Sequence, residues 1–288
     1  MSHANKYYLE TSSIRKVGGK LQQVGAIGDC RTSAFVLFEL LTGLMESDKQ
    51  FNYRKAAIAA VLDSGIEIAW SLPTSRLKRA FQKLQYQWDD ESILRPIIAC
   101  VRQSRSRQHF AELINERQLM HSLEELERED ADMAKGLQVV LQRPSLRHEV
   151  AAFVEEHMPG ATEEERSEIC GRIVSLMLPY WVASPHAVVK AMAYKCAKDC
   201  ISEPSDDELD AVAASYDRSL PLFMRTFSHA ISTCWDRKLM PGKNDLADLL
   251  HLVYLRDGDV LVSEEGERKA AMRVIRDMGI PVQCIASL

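Results

Sequence analysis

The sequence predicts a mixed α/β protein in which one parallel sheet is assembled from both ends of the chain and interrupted by an all-α stretch. Three observations carry that expectation. Short strand-like runs cluster in roughly the first 75 and last 50 residues: Lys6-Tyr-Tyr-Leu-Glu10, Gly65-Ile-Glu-Ile-Ala-Trp70, Asp259-Val-Leu-Val-Ser263 and Pro281 to Ile285. Between them, from about Asp89 to Trp235, helical periodicity dominates, and Pro144, Pro159-Gly160, Pro185, Pro204 and Pro221 stand where proline separates helices. Each outer piece has too few strands to make a sheet alone, so the two complete each other. The expected division is residues 1–88, a helical insertion 89–235, and residues 236–288.

The elements follow in order. Thr11-Ser-Ser13 is a helix-start signal leading into Ile14-Arg-Lys-Val17. Gly18-Gly-Lys20 lacks both the spacing and the following Ser/Thr of a phosphate loop, so it reads as a turn. A strongly apolar helix is expected over Thr32–Met45, capped by Thr32 or Ser33, with Glu39 its only acid in the middle. Helices follow over Tyr53–Leu62 and from Pro73 to about Gln87. In the middle section they cover Ile93–Val101, Phe110–Glu127, Met133–Leu141, His148–His157, Glu163–Met177, His186–Cys200, Asp207–Ser215 and Pro221–Trp235. No fixed-period repeat appears, which argues against a solenoid. After Pro241-Gly242, Asn244 caps a helix to Leu255, and Glu267–Met278 forms the last.

Composition narrows the function classes. At 288 residues, 46% hydrophobic and 27% charged, the chain has ample core for a globular protein. No apolar run approaches the ~20 residues of a membrane span and the N-terminus lacks an apolar signal region, so a cytoplasmic location and no membrane partner are expected. Seven scattered cysteines fit reduced thiols rather than a disulfide framework. A net charge of −5 argues against whole-surface attraction to nucleic acid, although a local basic patch can still bind a phosphate backbone.

The acids carry the chemistry. Asp245 and Asp248 lie three apart and share one helix face. The apolar run Val260-Leu-Val262 delivers Ser263, Glu264 and Glu265 at its carboxyl end, where ligands bind in open α/β sheets. Glu39, set in Phe35-Val-Leu-Phe-Glu-Leu-Leu41, is costly to bury unless paired or bound to a metal. Each acid also has a bland explanation: those in a helix's first turn are stabilised by its dipole, by ~0.3–1 kcal/mol, and those at a strand end are commonly solvated. Together they point to a divalent-cation site.

Four runs in this order resemble PIN-domain ribonucleases: Tyr8-Leu-Glu-Thr-Ser-Ser-Ile14 the first strand and turn, Ser33-Ala-Phe-Val-Leu-Phe-Glu-Leu-Leu41 the helix with the second acid, Asn244-Asp-Leu-Ala-Asp248 the third-acid helix, and Val260-Leu-Val-Ser-Glu-Glu265 the strand ending in Thr-x-Asp. The resemblance implies a three-layer fold around a central parallel sheet and Mg²⁺- or Mn²⁺-dependent hydrolysis of RNA. It implies Glu10, Glu39, Asp245, Asp248 and Glu265 as the catalytic and metal-holding acids, with Thr11, Ser12 and Ser263 contacting substrate. The chain departs from the family by carrying Glu at the first-strand position and Ser-Glu-Glu for Thr-x-Asp. Many relatives are toxin halves of toxin–antitoxin pairs, so RNA and an antitoxin-like or other protein partner are implied, and a homodimer is allowed. The alternative is a catalytically degraded PIN-like protein that binds RNA or protein through its helical region.

Other candidates are weaker. The basic run Arg102-Gln-Ser-Arg-Ser-Arg107, with Arg76, Lys78 and Arg79, is a candidate backbone guide, with a solvated helix end the more common outcome. Cys196 and Cys200 lack partners at zinc-site spacing and read as buried thiols. His251 is a core or rim histidine by default, or an orienting partner of a carboxylate.

Overall fold

The structure is a computed structural model that describes residues 6–24, 29–142, 146–182, 185–235, 245–265 and 269–288. In the first part, β1 (Tyr7–Leu9) leads through α1 (Thr11–Val17) to β2 (Cys30–Ser33), α2 (Ala34–Thr42), α3 (Asp48–Asp63) and β3 (Glu67–Ala69). Among the described residues nine helices follow: α4 (Pro73–Arg79), α5 (Asp90–Gln103), α6 (Arg107–Glu116), α7 (Met120–Gln142), α8 (Leu146–His157), α9 (Glu163–Val182), α10 (Pro185–Cys200), α11 (Asp206–Ala214) and α12 (Pro221–Trp235). The last part comprises α13 (Asp245–Leu250), β4 (Val260–Val262), α14 (Ala270–Asp277) and β5 (Val282–Gln283).

The strands form one parallel sheet in the order β3-β2-β1-β4-β5. Both chain ends therefore build it, as the sequence predicts. β1 is the pivot, with Tyr8 registered between Arg31 of β2 and Leu261 of β4. Helical connections feed β2 on one side of β1 and β4 on the other, so the order reverses there. Such a switch point opens a crevice at the strands' carboxyl ends. Val260, Leu261 and Val262 are all buried, as a central parallel strand requires.

β2 is a correction to the expected start of the apolar helix at Thr32. Residues Cys30-Arg-Thr-Ser33 are a strand, and the helix begins at Ala34. The run is too polar to read as a strand, and its polar side chains reach partners elsewhere in the fold, although the buried Arg31 Nε has none among the described residues. Thr32 Oγ1 donates to the Leu9 carbonyl at 2.8 Å, and Ser33 Oγ lies 2.7 Å from the Tyr8 hydroxyl. Buried Arg31 forms an ion pair with Asp259 and donates to the Tyr254 carbonyl at 2.6 Å.

Other boundaries shift for local reasons. The helix from Pro73 stops at Arg79, because the next turn joins another segment: Phe81 bridges Tyr216, and Asp217 N–H donates to the Ala80 carbonyl at 2.9 Å. The helix expected over Phe110–Glu127 is broken at Gln118, whose φ of 56° lies in the left-handed region, and Leu119 N–H closes back on the Ile114 carbonyl at 2.9 Å. The cap expected at Asn244 lies outside the described residues, and the helix after it ends at Leu250, passing into a tighter 3₁₀ turn over His251–Tyr254.

One continuous core runs from Tyr8 and Leu9 of the sheet, through Phe35 and Leu37 of α2, to Phe223 and Phe227 of α12. α12 and α13 pack on each other, and each packs on both α7 and α14. A small separate cluster, Val150, Val154 and Cys170, holds α8 against α9. Among the described residues no helix is long and apolar enough to cross a membrane.

Candidate active site

At the carboxyl ends of β1 and β4 lies a cleft of about 340 Å³, lined by Glu10, Thr11, Ser12, Glu39, Asp248, His251, Glu265 and Lys269, with Arg15, Glu46 and Arg54 among the remaining residues. Its position follows from topology. Glu10 is the residue after β1, and its carbonyl accepts the Ile14 N–H at 3.1 Å and the Ser13 hydroxyl at 2.7 Å, which starts α1 and turns the chain away from the sheet. Ser12 ties this corner to β4, since its Oγ accepts the Glu264 N–H at 2.8 Å while donating to the Glu10 carboxylate.

Glu39, on the otherwise apolar α2, accepts a hydrogen bond from the Thr11 hydroxyl and faces His251 Nε2 at 3.2 Å. Glu10 lies 3.9 Å from the same nitrogen. His251 is 1% exposed. Its other nitrogen, Nδ1, is 3.0 Å from the Tyr8 hydroxyl, which is in turn 2.7 Å from Ser33 Oγ. A chain of contacts thus runs from Ser33 through Tyr8 and His251 to Glu39 and Thr11, and it fixes the ring with Nε2–H toward the carboxylates.

Charge balance explains the titration behaviour. Burial would lower the His251 pKa, but Glu39, Glu10 and Asp248 together hold it above the usual value. Burial would raise Glu39, yet His251 and the Thr11 hydroxyl hold it below the usual carboxylate range. Asp248 goes the other way: burial, reinforced by the Glu10 charge, pushes it up to about 7 despite Lys269 Nζ at 3.2 Å. Lys269 also meets Glu265, at 3.0 Å.

The structure brings Glu10, Glu39, Asp248, Glu265, Thr11 and Ser12 to this cleft and leaves two expected site residues off its lining. Asp245 is buried, and its Oδ1 accepts the Ala271 N–H at 2.9 Å, which anchors the first turn of α14 beside Lys269. Ser263 is also buried, and its Oγ accepts the Glu265 N–H at 3.0 Å. Glu264 is turned toward the C-terminus, accepting the Ile285 N–H at 2.9 Å.

Sequence reasoning missed four charged groups. Lys269 stands four residues after Glu265, a pairing distance that was there to be read. Arg54 donates to the Glu39 carbonyl at 2.8 Å and pairs with Glu46 at 3.3 Å. It lies across Gly43, where a β-carbon would sit 1.9 Å from its Cζ and displace the guanidinium. Arg15 lines the rim. Asp130, on α7, is pushed up to about 7 by burial and by the Glu39 charge, against the pull of His251. No sequence signal marks Asp130.

The expected basic guide does not form one patch. Arg102 pairs with Asp63, Arg107 with Asp48, Arg76 covers the Tyr254 ring, and Lys78 is buried between Glu129 and Asp199. Cys196 is buried in the core and Cys200 is exposed, both free thiols.

The donor types in the cleft, carboxylates and hydroxyls, suit hard cations such as Mg²⁺ or Mn²⁺. With the side chains as they stand, among the described residues no three His, Cys, Asp or Glu groups are placed to share one ion. The reason is visible: the His251 ring lies against Glu10 and Glu39, and the Lys269 ammonium bridges Asp248 and Glu265. No protein-family model, curated protein or solved structure is significantly similar to this chain.

Proposed function

We propose that the cleft is a PIN-like site for divalent-cation-dependent hydrolysis of RNA phosphodiester bonds, with Glu10, Glu39, Asp248 and Glu265 holding Mg²⁺ or Mn²⁺. The observation that carries this reading is the convergence of Glu10, Glu39, Asp248 and Glu265, with the Thr11 and Ser12 hydroxyls, from opposite ends of the chain on one cleft at the sheet's switch point. A cleft so rich in carboxylate repels a phosphodiester unless cations offset the charge. A bound ion would supply that offset and lower the pKa of an attacking water. Arg15, exposed on the lining, orients the anionic backbone, and Thr11 and Ser12 hold Glu39 and Glu10 in place. Asp245 acts indirectly, by anchoring the start of α14 beside Lys269.

The test is cleavage of labelled RNA by the purified protein with Mg²⁺ or Mn²⁺. Wild type should cleave and lose activity on chelation, and Glu39→Gln should be slower by at least about 100-fold, the scale of losing a group that organises transition-state charge. Equal rates for wild type and Glu39→Gln would refute the reading.

One observation favours a second reading, a binding module without catalysis. The cleft's carboxylates are already matched by the chain's own His251 and Lys269. That reading predicts no Mn²⁺ uptake, and RNA or a protein partner engaged without turnover.

A further inference from the structure

Away from the acidic cleft, a second groove of about 450 Å³ opens between α10, α11 and the start of α12. Its floor is apolar, built from buried Val189, Ala213 and Met224, with exposed Pro221 beside them. Its only charged lining residues are Arg218 and Arg225, both exposed and neither in an ion pair among the described residues. Among the described residues no acid lines it, and the first turn of α12 carries none either. The positive end of that 15-residue helix therefore adds to the two guanidinium groups. This is an anion-seeking rim around a greasy floor, on a chain whose net charge is −5.

The turn that carries Arg218 is held in an uncommon conformation. Arg218 has φ of 61°, in the left-handed region that non-glycine residues rarely occupy. Ser219 N–H donates to Asp217 Oδ1 at 2.8 Å, Leu220 N–H donates to the Tyr216 hydroxyl at 3.2 Å, and Asp217 N–H is tied to the Ala80 carbonyl at 2.9 Å. The Asp217 carboxylate is thus engaged by its own turn, and it does not line the groove beside Arg218.

We infer that this groove docks an acidic, apolar segment of a partner protein, with an aliphatic or aromatic side chain on the floor and carboxylates against Arg218 and Arg225. Charge complementarity selects that occupant. A nucleic acid needs a longer run of cations and free aromatic faces for stacking, whereas the ring in this lining, Tyr216, is already packed against Phe81 at 5.6 Å. An inorganic anion gains nothing from the apolar floor. An acidic segment with one large apolar residue uses both features. The inference is independent of the chemistry proposed for the acidic cleft.

The experiment measures binding to the intact protein by fluorescence anisotropy. The probes are labelled ten-residue peptides carrying one Leu, Ile or Phe, with Asp or Glu at every spacing up to four residues, and matched peptides with Asn or Gln for the acids. At least one acidic peptide should bind in the micromolar range and weaken by at least about tenfold in its amide version. Arg218→Glu and Arg225→Glu should each weaken it by about tenfold, Arg218→Gln and Arg225→Gln by less, and Lys49→Glu on α3 should change nothing. Both arginines are exposed, so the variants should fold, which circular dichroism checks. The inference is overturned if no acidic peptide outbinds its amide version, if binding survives both charge reversals, or if only a 20-nucleotide RNA binds in an arginine-dependent way.

Discussion

The two walls of the acidic cleft carry similar acids and solve the same electrostatic problem differently. On the β1–α2 wall, Glu10 and Glu39 meet a buried histidine whose far side is held by the Tyr8 hydroxyl. On the α13–α14 wall, Asp248 and Glu265 meet a lysine whose side chain is 31% exposed. An imidazole locked in a contact chain keeps its position, whereas a lysine on a four-carbon stem can swing into solvent at little cost. The first wall is preorganised and the second is adjustable. For a cleft proposed to accept a cation, that difference locates the movable part on the side of Lys269.

Breaking the rigid wall should have the largest effect. His251→Ala leaves Glu10 and Glu39 without their shared partner, and Glu10 is 3% exposed. Removing one member of a buried ion pair costs ~3–5 kcal/mol, a loss that urea denaturation would measure at pH 6. The pH dependence follows from the two shifts. Glu39 is depressed, so its contribution is present above its unfolded pKa near ~4.3 and is lost as pH falls through the folded value. His251 is raised, so its contribution is complete below its unfolded pKa near ~6.5 and is lost as pH rises through the folded value. The gap between variant and wild type should therefore be widest from about pH 4.5 to 6.5. A gap that does not change with pH would mean that His251 contributes packing alone.

The adjustable wall should respond with the opposite sign. Asp248 is pushed up to about 7, first by burial and then by Glu10, so the folded protein retains a proton that the unfolded chain releases near pH ~3.9. Stability then falls as pH rises from ~4 to ~7. Asp248→Asn should remove that fall, matching wild type below pH ~4 and exceeding it by ~4 kcal/mol at pH 8. Parallel stability profiles for variant and wild type would show that Lys269 neutralises Asp248 fully. If the proposed function holds, the same variant loses cation affinity while gaining stability, the usual relation between a strained site and its scaffold.

The contrast between the walls was only half legible in the sequence. The acids stand out because each interrupts an apolar run, and the sheet at both chain ends stands out because Val260-Leu-Val262 and Tyr7-Tyr-Leu9 are buried strands with ordinary strand residues. β2 was hidden because Arg31, Thr32 and Ser33 are polar residues whose partners lie on distant segments, which no local pattern reports. His251 was legible only as one of two alternatives, and Lys269 only by its spacing from Glu265. Their roles depend on which side chains fold back against them, and Asp130 reaches this neighbourhood from a helix 91 positions after Glu39. Asp245 and Ser263 carry the expected residue types, yet they spend their oxygens on the Ala271 and Glu265 amides. Spacing predicted which elements end near the cleft. It could not predict which way each oxygen turns.

The smallest effect should come from Lys269, and it separates the two walls most cleanly. Its pairs with Asp248 and Glu265 are partly exposed, so Lys269→Met should cost no more than ~1 kcal/mol of stability. Its electrostatic consequence is larger than its structural one, because removing the ammonium leaves two carboxylates facing each other and invites a cation from solution. Mn²⁺ binding followed by calorimetry should be tighter in Lys269→Met than in wild type, with a steeper decline as salt is raised. The corresponding change on the rigid wall, His251→Gln, should weaken Mn²⁺ binding, because Glu10 and Glu39 lose the group that orients them. Equal Mn²⁺ affinities in all three proteins would mean that neither wall receives a cation, and the binding-module reading would then be the one to pursue.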